Sequence, residues 1–263
     1  MASKMYIKSY LYLSLVVSSV LFMTNSNAKN DTKWPKSAKK AISLSYDDAL
    51  NSQLDNAIPA LEHYGFKASF YLELQSPTIS ARLDEWRKTA ASGHELGNHS
   101  IFHNCSASKP NRSWVEKHRD LDKRSIDSVV AEIKVANDFL FAIDGKKQRT
   151  FTPPCFDTLV AGESYIPHIN DLFVAIKGIS NGASPAFSDV ISGNVKTADE
   201  LIEKIENFPE NMDVINVLFH GVGGDHLSIS VEEHNKFLQY LDNHRADYWV
   251  DSYINIMTLV NNN

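Results

Sequence analysis

The stretch AISLSYDDALNSQLDNAIPALEHYGFKASFYL, residues 41–72, reads as strand, helix, strand. AISLSY is a short β-like run. ALNSQLDNAIPALEHYG has helical spacing and is closed by Gly65, and KASFYL is β-like again. The same alternation continues outward from it. ARLDEWRKTAASG reads as a helix, HELGNHS as a short strand running into a loop, and SIDSVVAEIKVANDFLFAIDG as a long helix ending at Gly145. RTFTPP and DLFVAIKGI are strand-like, MDVINVLFH is an apolar strand, and DYWVDSY is a last strand. Two further helices open on capping boxes, Thr197 with Glu200 and Ser230 with Glu233. Residues 104–124 are polar and irregular. Strand–helix alternation over some 220 residues argues for an α/β fold on a parallel sheet, open or closed into a barrel. In such folds chemistry collects where the strands end.

The chain has 263 residues, 43% of them hydrophobic, enough for a sizeable core. Residues 1–28 read as an export signal: Lys4 and Lys8, an uncharged apolar run over 10–23, then small residues at Ser26 and Ala28. That run is short for a membrane span. A single domain over 29–263, exported to the periplasm or secreted, with no stable membrane anchor, is the expectation. Without the two signal lysines the formal charge moves from −6 to −8. With no basic stripe, this excludes a nucleic-acid partner. Cys105 and Cys155 are the only cysteines, and export permits either a disulfide or two inert thiols.

Polar residues at strand ends are the candidates. Asp47 and Asp48 close the first strand. They read either as a helix cap with a dipole-stabilised acid or as a metal ligand beside a base. GNHSIFHNC (97–105) carries His99 and His103, which are either two solvated side chains or, with one aspartate, a three-ligand set that leaves positions open for water. His220 ends VINVLFHG just where the apolar run stops. HELGNH is not a zincin signature, since its second histidine comes one position late. HGVGGD is not a dinucleotide loop, since His226 stands where the last glycine belongs.

SYDD (45–48), HSIFH (99–103) and LFH (218–220), in this order, resemble the motifs of the polysaccharide deacetylase family, the NodB-homology domain of carbohydrate esterase family 4. The resemblance spans roughly residues 40–255. It implies a distorted (β/α)7 barrel and a metal-dependent hydrolase that removes acetyl groups from an acetylated carbohydrate, mostly N-acetylglucosamine units, as a monomer. It gives Asp47 as catalytic base, His220 as catalytic acid, and Asp48, His99 and His103 as ligands of a divalent metal, Zn2+ in most members. Ser100 would steady the metal loop, and the Cys155 N–H would meet the oxyanion. Where the family shows R-P-P-Y this chain has TPPC (152–155), so Thr152 replaces the arginine that orients the base. Lys177 and Arg149 are the candidates for that role, against Lys177 as a solvated surface amine. The family's D-W motif is absent, and Asp225 is the candidate partner of His220. If the second and third motifs frame one cleft, Cys105 and Cys155 are close enough to pair. An O-acetyl esterase acting on xylan or a similar glycan, a silent sugar-binding barrel and an iron(II) oxygenase are the alternatives; the H-x-D order of the last is missing.

Overall fold

A computed structural model describes residues 34–178, 188–191 and 196–262, the side chains of 188–191 excepted. The export signal and most of 180–196 lie outside these residues. Strands β1 (Lys40–Asp47), β2 (Ser69–Leu72), β3 (Glu95–Asn98), β4 (Thr150–Phe151), β7 (Ala175–Ile176), β8 (Ser188–Ile191), β9 (Val214–Phe219) and β10 (Tyr248–Asp251) form one sheet. A small hairpin, β5 (Leu159–Val160) with β6 (Glu163–Ser164), stands apart. The helices are α1 (Ile58–Tyr64), α2 (Pro77–Ala81), α3 (Leu83–Ala91), α4 (Ile126–Asp144), α5 (Ala198–Glu206), α6 (Val231–Asn243) and α7 (Tyr253–Asn261).

The sheet runs β7-β4-β3-β2-β1-β9-β8 with every pairing parallel, as crossover helices require. β1 is its centre. One edge pairs with β9, while the other is shared: β10 takes Lys40 to Ser43 and β2 takes Ser45 to Asp47. The curled sheet with its helices is the distorted barrel expected. The path carries seven strands, and an eighth, β10, lies off it, paired beside the start of β1.

Alternation along β1 decides the layers. Ile42, Leu44 and Tyr46 pack with Leu61, Phe70, Trp86, Phe237 and Leu241 under the helices. Each such buried side chain contributes about 1.5–3 kcal/mol. Ser43, Ser45 and Asp47 face the other way and are also buried. Both predicted N-caps form, Thr197 accepting from the Glu200 N–H and Ser230 from the Glu233 N–H, but the boxes do not close: Glu200 accepts from the Lys196 N–H (3.2 Å) and Glu233 from the Ala198 N–H (2.6 Å) instead. DYWVDSY is only partly strand, for Tyr253 already opens α7, and DLFVAIKGI keeps two residues of strand after a 3-10 turn.

Two histidines are buried in this core. His234 Nε2 accepts from the Tyr46 hydroxyl at 2.7 Å, and His94 Nδ1 accepts from the Ala68 N–H at 3.2 Å. Burial pushes both down to about 4, from an ordinary 6.5. The unfolded chain therefore binds protons that the folded chain refuses. The neutral pair's stabilisation is complete above pH 6.5 and is lost as pH falls to about 4. Each site should cost about 3 kcal/mol over that window. Urea unfolding at stepped pH checks this, with a shallower slope expected for His234→Gln.

Candidate active site

Residues one step past a strand continue the ladder with their own N–H, so register places their side chains. Asp48 donates to Tyr71 O (3.1 Å), His99 to Leu72 O (3.2 Å), Thr152 to Asn98 O (3.1 Å) and Lys177 to Phe151 O (2.8 Å). His220 follows β9 directly. All the candidates except Arg149 and Asp225 thus stand at the carboxyl rim, where a cavity of about 620 Å³ is lined by Asp47, Asp48, His99, His103, Cys155 and His220.

The HSIFH segment is a loop rather than a helix. Asn98 Oδ1 accepts from the Ser100 N–H (2.7 Å), and Ser100 Oγ accepts from the His103 N–H (3.0 Å). Glu132, buried on α4, accepts from the N–H groups of Ile101 and Phe102 and from Asn104, and Arg124 pairs with it. Ser100 (φ 65°) and His103 (φ 53°) are left-handed, as are Asp48 (φ 78°) and Cys155 (φ 58°). Such backbone persists only where its surroundings hold it, and it clusters at functional sites.

Asp48 Oδ1 lies 3.3 Å from His99 Nε2 and 3.2 Å from His103 Nε2. That oxygen is buried and makes no hydrogen bond. A tetrahedral zinc with ligands at about 2.0–2.1 Å holds its donors about 3.3 Å apart. His99 Nδ1 must donate to the Thr152 carbonyl (2.7 Å), which leaves Nε2 with the lone pair a metal needs. Charge agrees. Burial pulls His99 down, but Asp47 and Asp48 outweigh it and lift the imidazole to about 9. Burial likewise opposes ionised Asp48, yet His103, His226 and His99 hold its carboxyl well below the usual range. Carboxylates that favour positive charge at this point, beside an orphaned oxygen, fit a divalent cation. His103, Cys105 and Cys155 also converge, but their sulfurs are bonded to each other (Cα–Cα 5.9 Å), which closes that group to metal.

Asp47 is buried, with Oδ1 unpartnered. Burial raises its pKa, and His99, His220 and Lys177 oppose the rise. Lys177 is 0% exposed, so the solvated amine is excluded. Its Nζ bonds Ser45 Oγ, two residues behind Asp47 on the same face, and lies 5.0 Å and 5.1 Å from the rings of Tyr71 and Tyr253. Gly97 makes room for Tyr71, whose ring a Cβ there would meet at 2.5 Å. Burial pushes Lys177 down to about 8, against Asp47 and Glu95.

Two expectations need correction. Arg149 is spent at the opposite end of the sheet: it forks onto Asp144 (2.8 and 3.0 Å) and donates to the carbonyls of Leu96 and Lys146. Asp225 accepts from the Ser52 N–H (2.8 Å), while His220 Nδ1 is buried without a partner. Two contributors escaped the sequence reading. Gln53, in the π-helical turn Gln53–Ala57, donates to both Asp47 O and His220 O and so ties the end of β1 to the end of β9. His226 reaches Asp48 Oδ2 at 2.7 Å.

The disulfide joins the end of the HSIFH loop to TPPC (152–155) across 50 residues. In the chain-entropy model such a closure stabilises by about 4 kcal/mol. Cys105→Ser/Cys155→Ser should lower the urea midpoint accordingly.

Residues 35–159, which hold the first three motifs but not His220, match the family model Polysaccharide deacetylase, and this part of the chain belongs to that family. Over 70 residues the chain is 31% identical to a gellan lyase from Bacillus sp., a match covering 27% of this chain and 3% of that protein. Solved structures share the fold. A mutant of a family 4 pseudoenzyme from Bacillus anthracis, with restored enzymatic activity, aligns at TM-score 0.56 and 17% identity, over 83% of this chain and 67% of that one. Peptidoglycan deacetylase PdaC from Bacillus subtilis aligns at 0.55 and 15%, over 85% and 92%. A family 4 acetyl xylan esterase from Clostridium thermocellum, in complex with a cobalt ion, aligns at 0.56 and 20%, over 84% and 91%.

Proposed function

We propose that the protein is a divalent-metal-dependent hydrolase that removes acetyl groups from N-acetylglucosamine units of a polysaccharide or oligosaccharide. The observation that carries this is the convergence of Asp48, His99 and His103 on one point in a cavity that Asp47 and His220 also line. A bound Zn2+ would lower the pKa of a water and polarise the acetyl carbonyl. Asp47 takes the proton of the attacking water on its carboxylate. Lys177 lies beneath, in place of the missing arginine, and favours the ionised carboxylate. The Cys155 N–H receives the oxyanion. His220 protonates the departing amine, which is a poor leaving group without that proton.

The disulfide suits an oxidising compartment, and export to the periplasm or beyond is part of this reading. No helix among the described residues is long and apolar enough to cross a membrane.

The test is acetate release by metal-reconstituted protein from chitooligosaccharides, peptidoglycan, poly-N-acetylglucosamine and acetylxylan. Acetate from any of the first three supports the reading. Acetate from acetylxylan alone makes the protein an O-acetyl esterase. Saccharide binding with no acetate makes it a silent barrel. His220→Ala should slow amide hydrolysis about 10²–10⁴-fold and hydrolysis of an activated acetyl ester far less, because that leaving group needs no proton.

A further inference from the structure

One wall of the cavity takes no part in the chemistry above. Residues 104–124 hold six Lys/Arg against three Asp/Glu, in a chain whose formal charge is −6. Three of those cations close on buried carboxylates: Lys109 on Asp157, Lys123 on Asp120 (3.0 Å) and Arg124 on Glu132. Arg112 and Arg119 line the cavity instead. Their nearest carboxylates are 3.7 Å away, at Asp157 and Glu116, beyond hydrogen-bond reach. Asp157 is already served by Lys109 and the Ser106 N–H. Among the described residues neither guanidinium makes a hydrogen bond; Arg112 Nη1 and Arg119 Nε are buried, so the donors that can meet a ligand are the remaining nitrogens of the two side chains. Both guanidiniums lie over the Trp114 ring, at 5.8 and 5.5 Å, and that ring is 45% exposed on the cavity lining.

The wall is preformed. Cys105 pins its start to Cys155, and Asp122 accepts from Ser106 Oγ (2.7 Å) and from the Ser108 N–H (2.9 Å). Opposing charge sits elsewhere: Glu73, the remaining carboxylate of the lining, feels His103 and Asp48 ahead of Arg119. An exposed indole offers a flat apolar face to a pyranose ring. Guanidiniums with unused donors match a carboxylate, which they bind in a fork.

Resting on the deacetylase reading, we infer that Arg112, Trp114 and Arg119 form a subsite for a carboxylate-bearing sugar ring adjoining the acetylated residue. A hexuronic acid and the lactyl ether of a muramic acid supply that same chemistry.

The probes are a tetrasaccharide alternating N-acetylglucosamine with glucuronic acid, the disaccharide of N-acetylglucosamine and N-acetylmuramic acid, and the carboxyl-reduced form of each. Wild-type, metal-loaded protein should turn over at least one acid form with kcat/KM about tenfold or more above its reduced twin. Which of the two it is identifies the source of the carboxylate. The preference should shrink at high ionic strength, and in R112Q/R119Q the ratio should fall toward one. Acetate release at equal rates from both members of each pair overturns the subsite and leaves the deacetylase reading standing. If no acetate appears from any glycan, the deacetylase reading falls. Calorimetric titration of the same pairs into wild-type protein then decides the subsite: tighter binding of an acid form supports it, and equal binding overturns it.

Discussion

Asp47→Asn is expected to keep its metal ion and to lose about 10²–10⁴-fold in kcat. The amide has nearly the carboxylate's shape, so the end of β1 and the neighbouring ligands stay where they are. What changes is basicity at one buried position. Asp47 Oδ1 has no hydrogen-bond partner, whereas its neighbourhood of His99, His220 and Lys177 is rich in positive charge. A carboxylate there suits a proton that arrives during the reaction, and an amide cannot take it. Metal content by elemental analysis and acetate release on the same sample check both halves. A metal-loaded variant within about tenfold of wild type would remove Asp47 from the chemistry.

Asp48→Ala is expected to retain no metal through dialysis and to be inactive. Loss of a partner that merely supports a ligand costs about 10–100-fold in affinity, so loss of a ligand should cost more. Alanine also strains the backbone, because position 48 has φ 78°. Asp48→Asn removes that ambiguity, since asparagine tolerates the left-handed region. If both variants lose metal, charge and coordination are the cause. If only the alanine variant does, the loop's shape is. Retained metal and activity in both would undo the ligand assignment.

The parallel architecture and the rim were legible because they rest on short-range signals: apolar runs, capping boxes, and polar residues just where runs stop. Asp47, Asp48, His99, His103 and His220 stand at such stops, and the ladder carries them to one cavity. What escaped depends on distance in space. Glu132 reads in sequence as one more charge on a helix, yet it holds the HSIFH loop from the far side. Its place between Val129 and Ile133, on the buried stripe of α4, was the available sign. Gln53 sits in a turn whose π geometry no periodicity announces. Arg149 and Lys177 could not be told apart by charge, although Arg149 opens its strand-like run and Lys177 closes one. Only the fold sends one to Asp144 and the other under Asp47. The start of α7 at Tyr253 was hidden because a short apolar run fits a buried strand or a helix equally well.

β1 is gripped by three neighbours, and its last residue is Asp47, the proposed base. The wall at 105–124, by contrast, belongs to no strand of the large sheet and is fastened by one covalent link and a few side chains. Inheritance can therefore rewrite the two ends of this cavity at different speeds. On the proposed reading, replacements along the wall would retune which glycan is welcomed, while the end that holds Asp47, fixed to the most heavily braced strand, would stay unaltered.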